Sequence, residues 1–584
     1  MPRALPDAAA SRLVAVELVR RGRNLAGEPY FTPGLPLALD LKGFGGLRAG
    51  DLALVRTGRG RARVERGLGS AKRIEYVLEA LLCEQGARVE FERYDLPEPN
   101  SEGRVDLRTL TAITIDPDTA RDFDDALSFR READGIRAFV HIADVSYFVA
   151  AGTPLDRGAA ERAFSTYVPG LVAPMLPPEL ADDACSLRPH QDRLCITVEM
   201  PPSGPPLFYR SLINSRARLT YAQAERREGP PEVIEQLELA AELSAELRRR
   251  RFERGALEVS TPELAFSFDD GRVADAWREG EHDAHVLVEE LMIRANEHVA
   301  AFLAGRGRRA LFRVHEAPEP ASITLLIEKL AALEVPTPPL PKALAPRAAA
   351  ALAGTISRQV ADYVRRSGRG GEAFPSLVLR ALKQARYDPR NLGHSGLAST
   401  AYCHFTSPIR RYPDLVVHRA LLAELGIAHE QAPDDLEGLA LHTSVREREA
   451  AQLEYLADDI CLAWLLEDRL LEQGWEAPWG GEITGMIGSG LFVRFGEVFE
   501  GFLPARRLPG EFFELNETAT ALAGRRSGRS YRLGDEVSVR VESISRAEGR
   551  VELGLHGTHR PAGTRQGKSG RASSGRPAPR GRRA

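Results

Sequence analysis

The densest chemistry in this sequence lies in Thr111-Ala-Ile-Thr-Ile-Asp-Pro-Asp-Thr-Ala-Arg-Asp-Phe-Asp-Asp-Ala-Leu-Ser-Phe129, where Asp116, Asp118, Asp122, Asp124 and Asp125 fall within ten residues. An apolar run feeds the acidic stretch and a second one follows, so the carboxylates sit on a loop between two strands. Charges this close repel one another, and a loop that is not fully solvated needs a cation to hold them together. Hard oxygen donors suit Mg²⁺, with Mn²⁺ as the alternative; such ions bind few carboxylates directly and keep positions for water and phosphate oxygens. An acidic surface loop or a structural Ca²⁺ site are the competing readings. The spacing lacks the pattern of an EF-hand, and the flanking Ile113, Ile115, Phe123, Ala126 and Leu127 imply partial burial.

A second stretch, Phe405-Thr-Ser-Pro-Ile-Arg-Arg-Tyr-Pro-Asp414, runs into the helical Leu415-Val-Val-His-Arg-Ala-Leu. Arg410 and Arg411 offer planar donor forks matched to phosphate oxygens, although either could instead pair with Asp414. A metal-binding acidic loop facing a fixed guanidinium is the minimum equipment for phosphodiester hydrolysis.

These residues must be positioned by a large scaffold. At 584 residues the chain is long enough for roughly three or four domains. Its 43% hydrophobic and 27% charged content is that of a folded globular protein and excludes wholesale disorder, collagen-like chains and coiled coils. Residues 1–70 carry short β-like runs with many glycines. Lys72 to Gln85 has helical spacing, and Pro97, Pro99 and Asn100 mark a linker. From Leu107 to Glu472 strand-like runs alternate with long helices, among them Val233 to Arg254 closing at Gly255, and Pro336–Pro341 is a surface connection. From Trp479 to Leu555 five short β runs with glycine turns predict a small closed barrel.

Five cysteines without a C-x-x-C pair indicate neither a disulfide framework nor a cysteine zinc site, and a reducing compartment follows. No apolar run approaches ~18 residues, so a cytoplasmic chain without membrane contact is expected. Net charge is −4, but residues 557–584 hold eight Lys/Arg and no Asp/Glu, leaving 70 basic and 82 acidic residues, net −12, in the body. Such a tail reads as disordered and drawn to polyanions, or as a solvated terminus without function.

The two stretches occur in order with His141-Ile-Ala-Asp-Val-Ser-Tyr147, Pro174-Met-Leu-Pro177, Cys185-Ser-Leu-Arg188 and Gly393-His-Ser-Gly-Leu397 between them. Together they resemble the ribonuclease II / ribonuclease R family over roughly residues 100–470, the family's RNB catalytic domain, while the last barrel resembles an S1 RNA-binding domain. The fold implied is multidomain α+β, a large mixed α/β RNB catalytic domain flanked by small OB-type β-barrels. The segments are a truncated cold-shock/OB-like module over 1–70, a helix and linker over 71–100, the catalytic domain over 101–472, the S1-like barrel over 473–556 and a basic disordered tail over 557–584. The resemblance implies a hydrolytic, processive exoribonuclease that degrades single-stranded RNA from the 3′ end to nucleoside 5′-monophosphates, using Mg²⁺ or Mn²⁺ and acting as a monomer.

By the same resemblance Asp116, Asp122, Asp124 and Asp125 are the active-site and metal-holding aspartates, with Asp124 the least replaceable; Asp118 matches none of them. Arg410 assists cleavage. Tyr167, in Ser165-Thr-Tyr-Val-Pro-Gly170, stacks on a 3′-terminal base, and Tyr221 and Glu289 help clamp the terminal nucleotide. Arg411 and Phe492 complete the expected RNA contacts; among Phe492, Phe495, Phe499 and Phe502 only one or two can stack on bases, because a barrel must bury some aromatics.

The chain departs from the family in having only about 100 residues ahead of the catalytic region, where many members carry two cold-shock barrels. His141-Ile-Ala-Asp-Val-Ser146 resembles ribonuclease R, whereas Pro178-Glu-Leu-Ala-Asp-Asp183 resembles ribonuclease II. His141 and Asp144 read as structural or supporting residues. Glu281-His-Asp-Ala-His285 reads as helix-start chemistry rather than metal binding, and Arg248–Arg251 as solvated charge at a helix end. A non-catalytic RNA binder and an endonuclease or deoxyribonuclease with the same metal site are the competing functions.

Overall fold

The computed structural model describes residues 12–556 apart from 59, 88–89, 259–261, 281–282, 342 and 429–432. The basic stretch 557–584 and the first two residues of Glu281–His285 lie outside the described residues. Strands Leu13–Arg21, Asn24–Pro29, Leu37–Asp40, Asp51–Arg56 and Ala62–Ser70 close into a barrel. Its interior is filled by Val16, Leu18, Leu39, Ala53, Val55 and Val64. Helix Ile74–Glu84 follows and buries every residue from Val77 to Cys83, because it lies between this barrel and the rest of the molecule. Its last residue, Glu84, accepts the Ala15 backbone N–H at 2.7 Å and so ties the helix back to the barrel.

The central sheet pairs Asp192–Met200, Gly135–Ala143, Asp125–Glu132, Ala112–Ile115 and Leu207–Leu219 in that order, with the two-residue strand Val105–Asp106 beside the last. The long strand Leu207–Leu219 joins both sides of the sheet. Its first half runs antiparallel to Asp192–Met200, and its second half runs parallel to Ala112–Ile115. Helices Pro231–Glu253 and Asp283–Gly305 cover the apolar face. The first of these fits the expected Val233–Arg254, ending before Gly255 at φ +99°, a conformation that favours glycine.

The run Arg248–Arg251 is solvated only in part. Arg249 and Arg250 pair with Glu246, but Arg251 is turned inward and meets the buried Glu290 of the second helix at 2.5 Å. The expectation of four solvated charges fails there because Arg251 faces the helix–helix contact.

Helix Leu436–Gln473 spans the molecule and contributes Leu453, Ala457, Ile460, Trp464 and Leu465 to one apolar cluster that also includes the first barrel, helix Ile74–Glu84 and the C-terminal barrel. That last barrel is built from Trp479–Ile487, Gly490–Phe495, Phe499–Pro504, Glu536–Ser545 and Arg550–Leu555, which matches the five predicted runs. A three-stranded sheet over Phe513–Leu515, Ala521–Gly524 and Ser530–Arg532 is added to it; its strands are too short to read from sequence.

The C-terminal barrel is held by more than apolar contact. Glu482 accepts the backbone N–H groups of Glu372 and Ala373 at the start of helix Ala373–Arg380, while Glu372 pairs with Arg278 and Arg494. Arg369 reaches Asp535 at 3.0 Å, and a Cβ on the intervening Gly534 would come within 2.7 Å of Phe374. No helix among the described residues is long and apolar enough to cross a membrane.

His141 and Asp144 occupy the floor of the central sheet. The His141 ring lies between Ser128 (2.9 Å) and Thr197 (2.8 Å), and burial holds its pKa down at about 3, so it is neutral. Asp144 is fully buried; burial alone would raise its pKa, but Arg210 and Arg104 beside it outweigh burial and hold it below the usual carboxylate range. Replacing Asp144 with Ala leaves two guanidinium groups without their counter-charge. Chemical denaturation of Asp144→Ala is expected to show a loss of about 3–5 kcal/mol, the usual cost of breaking a buried pair by removing one partner; a loss below ~1 kcal/mol would show that the triad contributes little.

Candidate active site

Ala112–Ile115 and Asp125–Glu132 are neighbours in the sheet, with Ile113 opposite Leu127, so Asp116 and Asp125 stand at adjacent strand ends. The backbone N–H of Asp116 donates to Leu219 O at 3.0 Å, and Asp124 O accepts from Ala143 N at 2.9 Å. The loop between them is clamped by Ser186, which is fully buried. Its hydroxyl accepts the Phe123 N–H (3.1 Å) and donates to Arg121 O (2.7 Å), while Leu187 N donates to Phe123 O. Four of the five aspartates are thereby drawn inward. Asp118 is the exception: its side chain is 89% exposed and lies 3.6 Å from Arg218.

The arginine-bearing turn arrives 285 residues later in the chain and lands on Asp124. One oxygen of that buried carboxylate accepts the Ile409 backbone N–H at 2.8 Å, and the other lies 3.4 Å from Arg410 Nε. Arg410 is itself half-exposed, with Nη2 donating to Ser407 Oγ at 3.2 Å. Asp414, with no exposed side-chain surface, holds the turn by accepting from Ser407 N (2.8 Å) and from both Nε and Nη2 of Arg411 (3.0 and 2.7 Å).

The electrostatics follow from burial. Asp116 is held well above the usual carboxylate range by burial and by the facing charge of Asp125, and one of its oxygens, Oδ2, is buried with no hydrogen-bond partner. Asp124 is likewise raised by burial, which Arg410 only partly offsets. Asp125 is pushed up to about 6 by burial, against Arg410 and Arg411. Burial disfavours the charged forms of these groups more than the nearby arginines favour them, and a divalent cation would offset the same cost. The donors are all hard oxygen, one is unpartnered, and a guanidinium stands beside them, so the residues fit Mg²⁺ or Mn²⁺.

The four aspartates do not form a ready-made cage. Among the described residues no three His, Cys, Asp or Glu side chains converge closely enough to hold a metal ion. Asp122 is engaged by Tyr167, whose hydroxyl donates to Oδ2 at 2.6 Å, and Asp124 is engaged by the turn. Mg²⁺ takes one or two carboxylates directly and fills its shell with water and substrate oxygens, so it does not require a ready-made cage.

The RNB domain family model matches residues 104–426, more than half of the chain, and the S1 RNA binding domain model matches residues 480–556. The chain belongs to the RNB family. Ribonuclease R of Escherichia coli strain K12 is 37% identical over 499 residues, covering 80% of this chain and 59% of that protein. The chain thus aligns with about three fifths of the length of that relative. The apo form of Mycoplasma genitalium RNase R superposes with a TM-score of 0.82 at 25% identity, covering 94% of this chain and 90% of the other. The same Mycoplasma protein in complex with ribose methylated single-stranded RNA gives a TM-score of 0.81.

Within the RNB domain the remaining expected residues separate into two groups. Tyr167 and Tyr221 lie at the acidic pocket. Tyr221 follows the strand that ends beside Asp116; burial and the charges of Asp125 and Asp116 raise its pKa, and its ring lies 3.5 Å from that of His285, centroid to centroid. Glu289 is on helix Asp283–Gly305, half-exposed and 3.7 Å from Arg251. Arg411 is a correction: its fork is closed on Asp414, so it shapes the turn instead of presenting donors to RNA. In the S1 barrel Phe495 and Phe499 are 1% exposed and pack on Trp479, whereas Phe492 and Phe502 are half-buried and face each other at 5.2 Å.

Ser186, Asp414 and Glu454 belong to the site without having been singled out for it. Glu454, on the long helix, accepts the Tyr167 backbone N–H at 2.8 Å and is raised in pKa by burial. Only the Cys185-Ser-Leu-Arg188 motif and the Arg411–Asp414 spacing carried a signal for the first two, and Glu454 carried none.

The raised carboxylates give a pH signature. Asp125 binds its proton more tightly in the folded chain than in the unfolded one, so the metal-free protein loses stability as pH rises through the window from about 4 to 6. With a chelator present, Asp125→Asn is expected to raise the unfolding temperature at pH 7.5, with the gain shrinking toward pH 4. Excess Mg²⁺ is expected to stabilise the unsubstituted chain more than the variant. A gain independent of pH would contradict the assignment.

Proposed function

We propose that this chain is a metal-dependent, hydrolytic 3′-to-5′ exoribonuclease that degrades single-stranded RNA processively to nucleoside 5′-monophosphates. The observation that carries this reading is the contact of the Ile409–Arg410 turn with buried Asp124, which sets a guanidinium over the acidic pocket. Substantial identity to ribonuclease R and a solved relative holding single-stranded RNA support it.

Asp116, Asp122, Asp124 and Asp125 would hold Mg²⁺, or Mn²⁺ in its place, which supplies the activated water and stabilises the departing 3′ oxygen of the penultimate nucleotide. Arg410 balances charge on the scissile phosphate; its guanidinium is anchored through Ser407 yet half-exposed, so it reaches substrate without reorganising. Asp124 is locked by the Ile409 N–H, which keeps one carboxylate at a fixed place beside that arginine. Tyr167 presents a π-face that accepts any base, so binding at the 3′ end is tolerant of sequence. Tyr221, at the same pocket, and Glu289, on helix Asp283–Gly305, would form the nucleotide clamp. Phe492 of the S1 barrel stacks on RNA approaching the site, and backbone contacts make binding sensitive to salt. Five free, buried cysteines accord with a reducing cytoplasm, and the proposed active unit is a monomer.

Incubation of labelled single-stranded RNA with Mg²⁺ is expected to release mononucleotides. A 3′-blocked RNA and a DNA of the same sequence should resist. Internal fragments would indicate an endonuclease, and intact RNA that is nonetheless bound would indicate a binder. Asp124→Asn is expected to lower kcat by at least about 100-fold, on the scale of removing one preorganised group from a charged transition state, while RNA affinity is retained. Substantial residual hydrolysis by that variant would overturn the role given to Asp124.

A further inference from the structure

Tyr167 makes a contact that base stacking does not require. Its hydroxyl donates to Asp122 Oδ2 at 2.6 Å, within the range of a charge-assisted O–H···O⁻ bond. Its backbone N–H is tied to Glu454 at 2.8 Å, so the segment that carries the ring is anchored while the residue remains 37% exposed. Asp116 Oδ2 is buried without a partner, and among the described residues no three His, Cys, Asp or Glu side chains converge on a metal position. One expected metal-holding carboxylate is therefore occupied by a tyrosine while another keeps an oxygen without a partner.

We infer that the Tyr167 hydroxyl is a latch on Asp122: in the RNA-free chain it competes with the divalent cation for that carboxylate, and stacking of the 3′-terminal base on the ring releases it. The inference rests on the reading that the aspartates hold a divalent cation. A cation that uses Asp122 must first displace the phenol, so the bond subtracts from metal affinity in the absence of RNA. RNA that draws the ring onto its last base removes this competitor. Metal and RNA then bind with positive coupling, which by linkage is reciprocal: metal tightens RNA binding as much as RNA tightens metal binding.

The test is Mn²⁺ binding to the full chain, followed by electron paramagnetic resonance of free Mn²⁺ in the absence of RNA. Tyr167→Phe keeps the aromatic face and deletes the donor, and it is expected to bind Mn²⁺ about tenfold or more tightly than the unsubstituted chain, the scale of a hydrogen bond to a charged group. Asp122→Asn is expected to abolish the difference, so that the double variant binds Mn²⁺ as the single Asp122→Asn does. A non-cleavable, 2′-O-methylated single-stranded oligonucleotide is expected to bring the unsubstituted chain to the affinity of Tyr167→Phe.

Equal or weaker Mn²⁺ binding by Tyr167→Phe would overturn the latch, as would a difference that persists with Asn at position 122. If Asp116→Asn and Asp124→Asn both leave Mn²⁺ binding unchanged, the metal reading of the pocket falls and the latch falls with it. A latch that fails while those two variants do lose Mn²⁺ leaves the proposed activity standing.

Discussion

Carboxylates that are buried together must be neutralised, and that single electrostatic demand shapes everything around the acidic pocket. Asp116, Asp124 and Asp125 are all raised in pKa with burial as the leading cause. Left to themselves they would move apart into solvent, as Asp118 does. What prevents this is backbone: Asp116 is pinned to Leu219, Asp124 to Ala143 and Ile409, and the loop between to Ser186 and Leu187. The stability of the surrounding sheet is thus used to hold like charges where water would otherwise separate them. Such a preorganised charge deficit is what a reaction at a polyanionic phosphate can use.

The same demand explains why so much of the fold serves the turn at Ser407–Arg411. A guanidinium that balances phosphate charge must be stiff at its base and free at its tip. Asp414 supplies the stiffness through Ser407 N and Arg411, and Arg410 keeps its tip half-exposed. The two adjacent arginines have opposite fates because successive residues at a helix start face different surroundings. Arg411 is turned toward buried Asp414, and Arg410 toward the pocket.

That contrast also marks where the sequence is legible. The acidic loop could be read because its chemistry is local: five like charges bracketed by apolar strands have few explanations. Arg410 could be placed beside the acids through its motif. Arg411 could not, since a guanidinium three residues from an aspartate fits a phosphate ligand and an ion pair equally well until burial decides. Glu454 was invisible for a different reason. It sits on a long helix among other acids, and only tertiary packing puts it against the Tyr167 backbone. Regular elements with strong periodicity, such as Pro231–Glu253 and the five S1 strands, were readable, whereas three-residue strands such as Phe513–Leu515 carry too few side chains to show a period.

The long helix Leu436–Gln473 joins these levels. Its apolar face is continuous with the core of the C-terminal barrel, with Ala15, Leu52 and Leu54 of the first barrel and with helix Ile74–Glu84. Another part of it delivers Glu454 to the site, and Glu467 near its end pairs with Arg546 of the S1 barrel. Hydrophobic contact is not directional and would tolerate small shifts of a barrel on the catalytic domain. The hydrogen bonds from Glu482 to the start of helix Ala373–Arg380, with the Arg369–Asp535 pair, do not tolerate them, because each fixes a distance and an angle. Apolar burial therefore supplies the cohesion between barrels and catalytic domain. The polar contacts set the orientation of the C-terminal barrel on the catalytic domain.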